Sequence, residues 1–333
     1  MQSGKWTILL ISFITVLTTD ALLAQDSVAI RSENGQYTGV ITHLEGATSK
    51  KDYYGTSRFQ LFDAEGTLLW QKEYQVMWDE FQPNFYVSPH GKTVEMNPDG
   101  NVIFYNWDGT IIKKLNNYFD SWQTTTTTQR GDYVSISVRV RDEYKISLFT
   151  MEGQMQWEQQ VHIQSTRLNS IAHEGKYVTV SGYESGIHSP LYMLLGKNGK
   201  IIKEFKNVAV TDDNFSKSGN YLVVNEGAGD RAILIDIKAK KIIWKYNPKE
   251  LIVGADVSED TYIMLGLGKQ RRGGRVSDLK IVVLGIDGRE YERIPVEGDM
   301  VRIREVKLDY DDELNKVTLN IGSSKKEYLI NIE

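Results

Sequence analysis

Two segments of this sequence combine aromatic rings with acids and amides in the same order. They are Trp78-Asp79-Glu80-Phe81-Gln82 and Phe119-Asp120-Ser121-Trp122-Gln123, which share an aromatic-Asp-x-aromatic-Gln pattern 41 residues apart. Such rings stack on a sugar or an extended peptide, while the neighbouring acids and amides form hydrogen bonds with it. We therefore predict a ligand-binding site with the candidate residues Tyr54, Trp78, Asp79, Phe119, Asp120 and Trp122. The alternative is that these rings pack between repeated units.

The carboxylates of the same segments could instead do acid–base chemistry. Asp79, Glu80 and Asp120 would suit a lyase or a glycosidase, which needs two carboxyl groups several ångströms apart with different pKa values. A sequence does not reveal such a geometry, so the catalytic residues are unknown. We expect non-catalytic binding, and a carbohydrate-active enzyme is the alternative.

The histidines and acids do not follow a metal-binding pattern. The five histidines fall in different predicted turns and loops, without the close pairs that zinc sites use, at His43, His90, His162, His173 and His188. The acidic run DYDDE at 309–313 lacks the glycine that an EF-hand loop needs for its turn. We predict neither a metal site nor a cofactor.

Repeated β-hairpins are the elements that must position these residues. The segment 58–74 (RFQLFDAEGTLLWQKEY) alternates apolar residues on both sides of a DAEG turn, whose glycine can adopt a positive φ. Related hairpins follow at 102–115, 145–158, 192–205, 232–246 and 280–294. The turn positions are Gly66, Gly109, Gly153, Gly199, Lys240 and Gly288. They recur every 41–48 residues, which is the period of four-stranded propeller blades.

A second repeated unit precedes each hairpin and consists of a short strand, a turn and an alternating strand. Together the two units predict four antiparallel strands, A to D, in each blade. Segments 301–308, 314–321 and 327–332 add strands for a further blade. We therefore predict an all-β fold, a seven-bladed β-propeller of four-stranded antiparallel blades rather than one of six or eight. It would form a single domain over 25–333, with three or four strands in the last blade.

The repeats resemble known propeller families. The segments VSPHGKTV and FSKSGNYLVV resemble the Ser-x-x-Gly-Lys turn of TolB-like and WD-type repeats. The segments LFDAEGTLLW and LIDIKAKKIIW resemble the Asp…Gly…Trp hairpin of PQQ-like, quinoprotein-type repeats. This resemblance covers nearly the whole chain after residue 24 and implies a fold, not an activity.

The N-terminus and the composition favour an exported protein. Lys5, the apolar run 6–17 and the small residues up to Ala24 have the order of a secretory signal peptide over 1–24, with a retained membrane helix as the alternative. A net charge of −5 argues against a nucleic-acid partner, and a chain without cysteine forms no disulfides. We predict a secreted or periplasmic protein that binds another envelope or secreted protein, or a saccharide, and has no membrane span after signal cleavage.

Connections between strands are expected to differ at the two ends of each blade. The A–B and C–D turns emerge at one end and are short, whereas the B–C and D–A connections emerge at the other. The predicted long connections are 43–57, 74–85, 183–190 and 267–278, and the last contains the cationic run KQRRGGR at 269–275. Long loops on a rigid scaffold often carry binding sites. The cationic run could meet an acidic ligand or could be a solvated turn.

Three tryptophans follow a two-blade period. Trp70, Trp157 and Trp244 lie four residues after the turn position of their hairpins and are 87 residues apart. We predict that they are structurally equivalent, mostly buried and packed on the next blade, with the indole N–H bonded to an edge carbonyl. The alternative is three exposed docking sites.

Overall fold

The structure is a computed structural model. It describes residues 27–45, 55–76, 84–97, 99–119, 125–141, 143–184, 186, 189–227, 229–258, 262–297, 301–302, 306–311, 316–321 and 324–330. The predicted signal peptide lies outside these residues. Within them, no helix is long and apolar enough to cross a bilayer.

The described chain consists of antiparallel sheets whose strands follow one another in sequence. Sheet 1 contains β1 (Ser27–Arg31), β2 (Thr38–Glu45), β3 (Gly55–Phe62) and β4 (Leu68–Val76). Sheet 2 contains β5 (Asn84–Val87), β6 (Thr93–Met96), β7 (Val102–Tyr105) and β8 (Ile111–Leu115). Sheet 3 contains β9 (Thr125–Arg130), β10 (Tyr133–Val140), β11 (Glu143–Thr150) and β12 (Met155–Val161).

The later sheets repeat this arrangement, with a 3-10 turn at His173–Gly175. Sheet 4 contains β13 (Ile163–Ile171), β14 (Tyr177–Glu184), β15 (Pro190–Gly196) and β16 (Ile201–Lys206). Sheet 5 contains β17 (Val210–Phe215), β18 (Tyr221–Glu226), β19 (Arg231–Asp236) and β20 (Lys241–Tyr246). Sheet 6 contains β21 (Leu251–Val257), β22 (Tyr262–Arg271), β23 (Arg275–Gly285) and β24 (Glu290–Pro295), and β25 (Val301–Arg302) pairs with β23. Sheet 7 contains β26 (Val306–Asp311), β27 (Lys316–Ile321) and β28 (Ser324–Leu329).

The predicted all-β fold of four-stranded antiparallel sheets is confirmed. The chain falls into two compact units, one holding sheets 1 and 2 and the other sheets 4 to 7, and the strands of sheet 3 are shared between them. A closed ring of seven blades and a single domain over 25–333 stay predictions.

Sheets within each unit pack face to face through apolar side chains. Between sheets 1 and 2, Phe59 and Phe85 stack with ring centroids 4.0 Å apart. In the other unit, Val223 and Leu234 of sheet 5 share a core with Ile263 and Leu265 of sheet 6. The central strands are buried on both faces as a result, which is why β18 and β19 read as apolar runs rather than as strict alternation.

Two predicted elements near the C-terminal part of the chain were wrong. Segment 267–278 is not a long loop, because β22 and β23 continue as paired strands up to Arg271↔Arg275 and leave only three residues in the turn. Segment 301–308 is not one strand, because Val301 and Arg302 pair with sheet 6 while Val306 begins sheet 7. In the first case, pairing beyond the main sheet extends strand structure into a segment rich in charge and glycine; in the second, the segment is divided between two sheets.

The three tryptophans connect consecutive sheets, as predicted. Each ring lies against the C–D turn glycine of the following sheet, and an added Cβ at that glycine would approach the indole to 2.7–3.1 Å. The pairs are Trp70 with Gly109, Trp157 with Gly199 and Trp244 with Gly288. The side chain of Trp157 is buried, while those of Trp70 and Trp244 are half-buried and so more exposed than predicted. The indole N–H of Trp244 donates to the Ile286 carbonyl at 2.9 Å, as predicted, but those of Trp70 and Trp157 find no acceptor among the described residues.

In sheet 2 a lysine takes the place of the tryptophan. The stem of Lys113 lies on Gly153, and the ammonium group donates to the Gly153 carbonyl at 2.8 Å. Lys240, which replaces the turn glycine in sheet 5, adopts φ 54°, a conformation that glycine provides at lower cost. The C–D turn of sheet 3 is thus covered by sheet 2 even though a lysine replaces the tryptophan.

Replacing Gly199 by alanine tests this contact. Gly199 has φ +75°, and the new Cβ would lie 2.7 Å from Trp157 Cε3. Gly35, with φ +70° and no atom within 4 Å of an added Cβ, is the matched control for backbone strain alone. We expect Gly199→Ala to cost roughly 1–3 kcal/mol more than Gly35→Ala in urea denaturation, because a Cβ there overpacks the ring. Equal costs for the two variants would contradict the contact.

Candidate functional site

Most of the predicted aromatic site lies outside the described residues. This applies to Tyr54, Trp78, Asp79, Asp120 and Trp122, and also to Glu80 of the enzymatic alternative. Phe119 is described, and its side chain is 4% exposed. This burial agrees, for Phe119, with the alternative in which repeat-related rings pack within the fold.

The backbone of Phe119 also closes the B–C turn of sheet 2. Its N–H donates to the Gly100 carbonyl at 3.3 Å, and its own carbonyl occupies the space that a Cβ on Gly100 would need. Gly100 has φ +81°, so both the conformation and the close approach call for glycine. In sheet 5, Gly229 is covered in the same way by the Ile252 carbonyl.

The B–C connections of sheets 4 and 6 are open. No atom lies within 4 Å of a Cβ built on Gly186 in sheet 4, or on Gly273 and Gly274 in sheet 6. Tyr183, at the end of β14, is exposed beside the first of these connections. The C–D turns at the opposite ends are covered by the preceding sheet. Gly186, Gly273 and Gly274 are thus exposed at the B–C ends of these two sheets.

A buried ionic cluster joins sheets 1 and 2. The Lys72 ammonium nitrogen lies 2.7 Å from Glu95 Oε2 and 2.9 Å from the Tyr105 hydroxyl, which itself donates to Glu95. Burial, and then the hydrogen bond to Glu95, raises the pKa of Tyr105 well above its ordinary value. Glu95 is nearly inaccessible, and its charge is compensated by Lys72, so the cluster acts as an inter-sheet link.

A second buried cluster lies between sheets 4 and 5. The Tyr192 hydroxyl donates to the carboxylate of Asp213, and both side chains are buried. Burial raises the pKa of Asp213 to about 6, although the hydrogen bond from Tyr192 favours the charged form. A carboxyl group buried in this way does not contact a substrate, so its titration changes the free energy of unfolding.

The described histidines serve local contacts. His43 Nδ1 is 2.9 Å from the Ser57 hydroxyl, and His90 Nε2 is 3.2 Å from Asp132. Among the residues that the structure describes, no three histidines or acids come close enough to hold a metal ion.

Comparison with known proteins identifies the fold. No family model matches this chain, and neither does any curated protein sequence. The Dos1 propeller has a TM-score of 0.57 at 11% identity and covers 92% of this chain and 93% of its own. BamB from Moraxella catarrhalis has a TM-score of 0.54 at 12% identity and covers 90% and 80%. The C-terminal WD40 domain of Sif2 has a TM-score of 0.53 at 10% identity and covers 88% and 89%. The chain has a β-propeller fold and resembles PQQ-like and WD-type propellers at the level of the fold.

Proposed function

We propose that this protein is an exported, non-catalytic β-propeller that binds another protein, or a saccharide, at the B–C ends of its sheets. The observation that carries this proposal is that the B–C connections of sheets 4 and 6 are open while the C–D turns of the same sheets are covered. The C–D turn glycines Gly109, Gly199 and Gly288 are covered by tryptophans, whereas Gly186 and Gly273 face open space. Open connections carried by packed sheets suit a binding scaffold.

The N-terminal sequence supports an extracytoplasmic partner. The order of Lys5, an apolar run and a small residue at position 24 is typical of a secretory signal peptide. The partner would then be another secreted or envelope protein, and the location secreted or periplasmic. The aromatic and acidic residues of the predicted D–A connections, Trp78, Asp79, Asp120 and Trp122, are separate proposed contacts for this partner.

Alanine at Trp78 and at Trp122 tests the proposed site. We expect each change to weaken binding by about 2 kcal/mol, roughly 30-fold, because exposed aromatic anchors dominate interface energies. The partner is first captured from the envelope fraction with the mature protein, and a glycan array checks for saccharides; affinity is then measured for each variant.

Trp107 provides the matched control. It is 51% exposed and lies in a C–D turn, at the opposite end of its sheet. Trp107→Ala should leave both affinity and melting temperature unchanged. If Trp78→Ala and Trp122→Ala lower the melting temperature while the folded fraction keeps its affinity, these residues pack between sheets and the site must be abandoned.

A further inference from the structure

The B–C hairpin of sheet 6 extends beyond the sheet that carries it. Strands β22 and β23 have 10 and 11 residues. Strand β21 pairs with β22 only as far as Gly268, and β24 pairs with β23 only as far as Lys280. Beyond these points β22 and β23 continue as a ribbon, and β25 pairs along the outer edge of β23. The projection is thus a three-stranded structure.

Apolar contacts hold this projection on the body of the unit. Val276 is fully buried and Leu279 nearly so, and both belong to the core shared by sheets 6 and 7. A Cβ on Gly268 would lie 3.0 Å from each of them. The projecting hairpin is therefore ordered by packing and presents its outer side chains in fixed register.

That register places three arginines in a row across the three strands. Arg271 pairs with Arg275, and Arg275 pairs with Arg302. Directly opposed residues of antiparallel strands point to the same face, and all three side chains are exposed. Lys269 lies two residues before Arg271 and so adds a fourth cation to that face. Arg272, at the tip, adds a fifth positive charge to the hairpin.

Opposed like charges cost free energy, which is most relevant to Arg275 at the centre of the row. Arg271 donates to Ser277 Oγ at 2.8 Å and lies 3.6 Å from the carboxylate of Asp278. Within the described part of the chain, Lys269, Arg272 and Arg275 form no ion pair. This hairpin is positively charged, whereas the whole chain has a net charge of −5.

We propose that this arginine row docks an extended acidic segment of a partner protein. Guanidinium groups bind carboxylates through two parallel hydrogen bonds. Three strands at a spacing of about 4.8 Å span about 10 Å, the length of about three residues of extended chain. A short run of Asp and Glu therefore matches the row, whereas a long nucleic acid would meet the net negative charge of the rest of the chain. The proposal rests on the proposed binding function, because it assumes a protein partner and uses the open hairpin that contains Gly273; the arginine row is separate from the aromatic segments.

A peptide titration tests the docking surface. The probe is a fluorescein-labelled ten-residue peptide with glutamate at alternate positions, and its anisotropy is followed as the mature full-length protein is added at low salt. The variant Arg271→Gln/Arg275→Gln/Arg302→Gln should bind at least about tenfold more weakly, which corresponds to about 1.4 kcal/mol. Arg275→Gln alone should give a smaller loss in the same direction. The change relieves like-charge repulsion but removes the exposed contacts of Arg271, so the melting temperature should change little.

The matched control removes the same number of charges elsewhere. Lys238, Lys241 and Lys245 are exposed residues of sheet 5, and Lys238→Gln/Lys241→Gln/Lys245→Gln should keep the peptide affinity within about twofold, because only general screening changes. Equal weakening by both triple variants, or by neither, would overturn the proposal. So would equal binding of a glutamine version of the peptide.

The same titration distinguishes other anionic ligands. A single-stranded oligonucleotide or vesicles containing phosphatidylglycerol that bind more tightly than the peptide, through the same arginines, would overturn the assignment to a protein segment. The outcome is independent of Trp78 and Trp122, so failure of the aromatic site and failure of this proposal are separate results.

Discussion

Replacing Trp157 by alanine should lower the free energy of unfolding by about 3–5 kcal/mol. The indole lies on the D strand of sheet 3, is 7% exposed and covers the C–D turn glycine of sheet 4. Its removal leaves a cavity against Gly199, where no side chain is present to collapse into the space. Urea denaturation of the two proteins, followed by circular dichroism, measures the difference.

The exposed Trp107 again serves as the reference for this experiment. Trp107→Ala removes the same atoms from a solvated turn, so it should change the free energy of unfolding by less than about 0.5 kcal/mol. An unchanged stability of Trp157→Ala would show that the ring is not a structural contact and would favour an exposed docking role for the tryptophans.

The contribution of Asp213 to the stability of the protein should fall as pH rises from about 4 to about 7. Its pKa is 3.8 when unperturbed and about 6 in the folded protein. Between these values the folded carboxyl group keeps a proton that the unfolded one has lost, so folding becomes less favourable with each pH unit. A shift of roughly two units corresponds to about 3 kcal/mol, present below the lower pKa and lost above the higher.

Comparison with Asp213→Asn isolates this effect from other titrations. The free energy of unfolding of the natural protein, minus that of the variant, should fall by about 3 kcal/mol between pH 3.5 and 7. Tyr192→Phe should move the transition above pH 6, because the Tyr192 hydrogen bond favours the charged carboxylate. A difference between natural protein and Asp213→Asn that does not vary with pH would contradict a raised pKa.

The repeat of the fold could be predicted because turn chemistry and strand alternation act locally. The glycine turns and the alternation of residues such as Phe59 and Leu61 need no knowledge of distant contacts, and they indicated the order of the strands in each sheet. The spacing of the hairpins also predicted that Lys240 replaces a turn glycine, and the positive φ of Lys240 agrees with this prediction.

Pairing at the projecting hairpin could not be predicted in this way. Glycine and charge at 271–275 favour a loop when only local preference is considered. Strand structure there depends on burial of Val276 and on pairing with Arg302, which is about 27 residues later in the chain. Both are long-range effects.

The positions of two buried acids, Glu95 and Asp213, could have been predicted from the strand pattern. Glu95 lies in the four-residue strand β6, in which every residue is buried, and Asp213 lies at an inward position of β17. An acid at an inward strand position requires a partner. The identity of that partner, Lys72 or Tyr192, depends on how neighbouring sheets are packed, and the aromatic site stays a prediction.

The contrast between covered and open glycines has a consequence for how such a chain can diversify. An insertion at Gly199 or Gly288 would push the turn away from a tryptophan of the preceding sheet, whereas one at Gly273 would extend into solvent. Homologues would then change length at the B–C ends of sheets 4 and 6 while the C–D turns of these sheets keep theirs. For protein engineering, the same contrast makes position 273 the place to graft an epitope tag or a foreign loop.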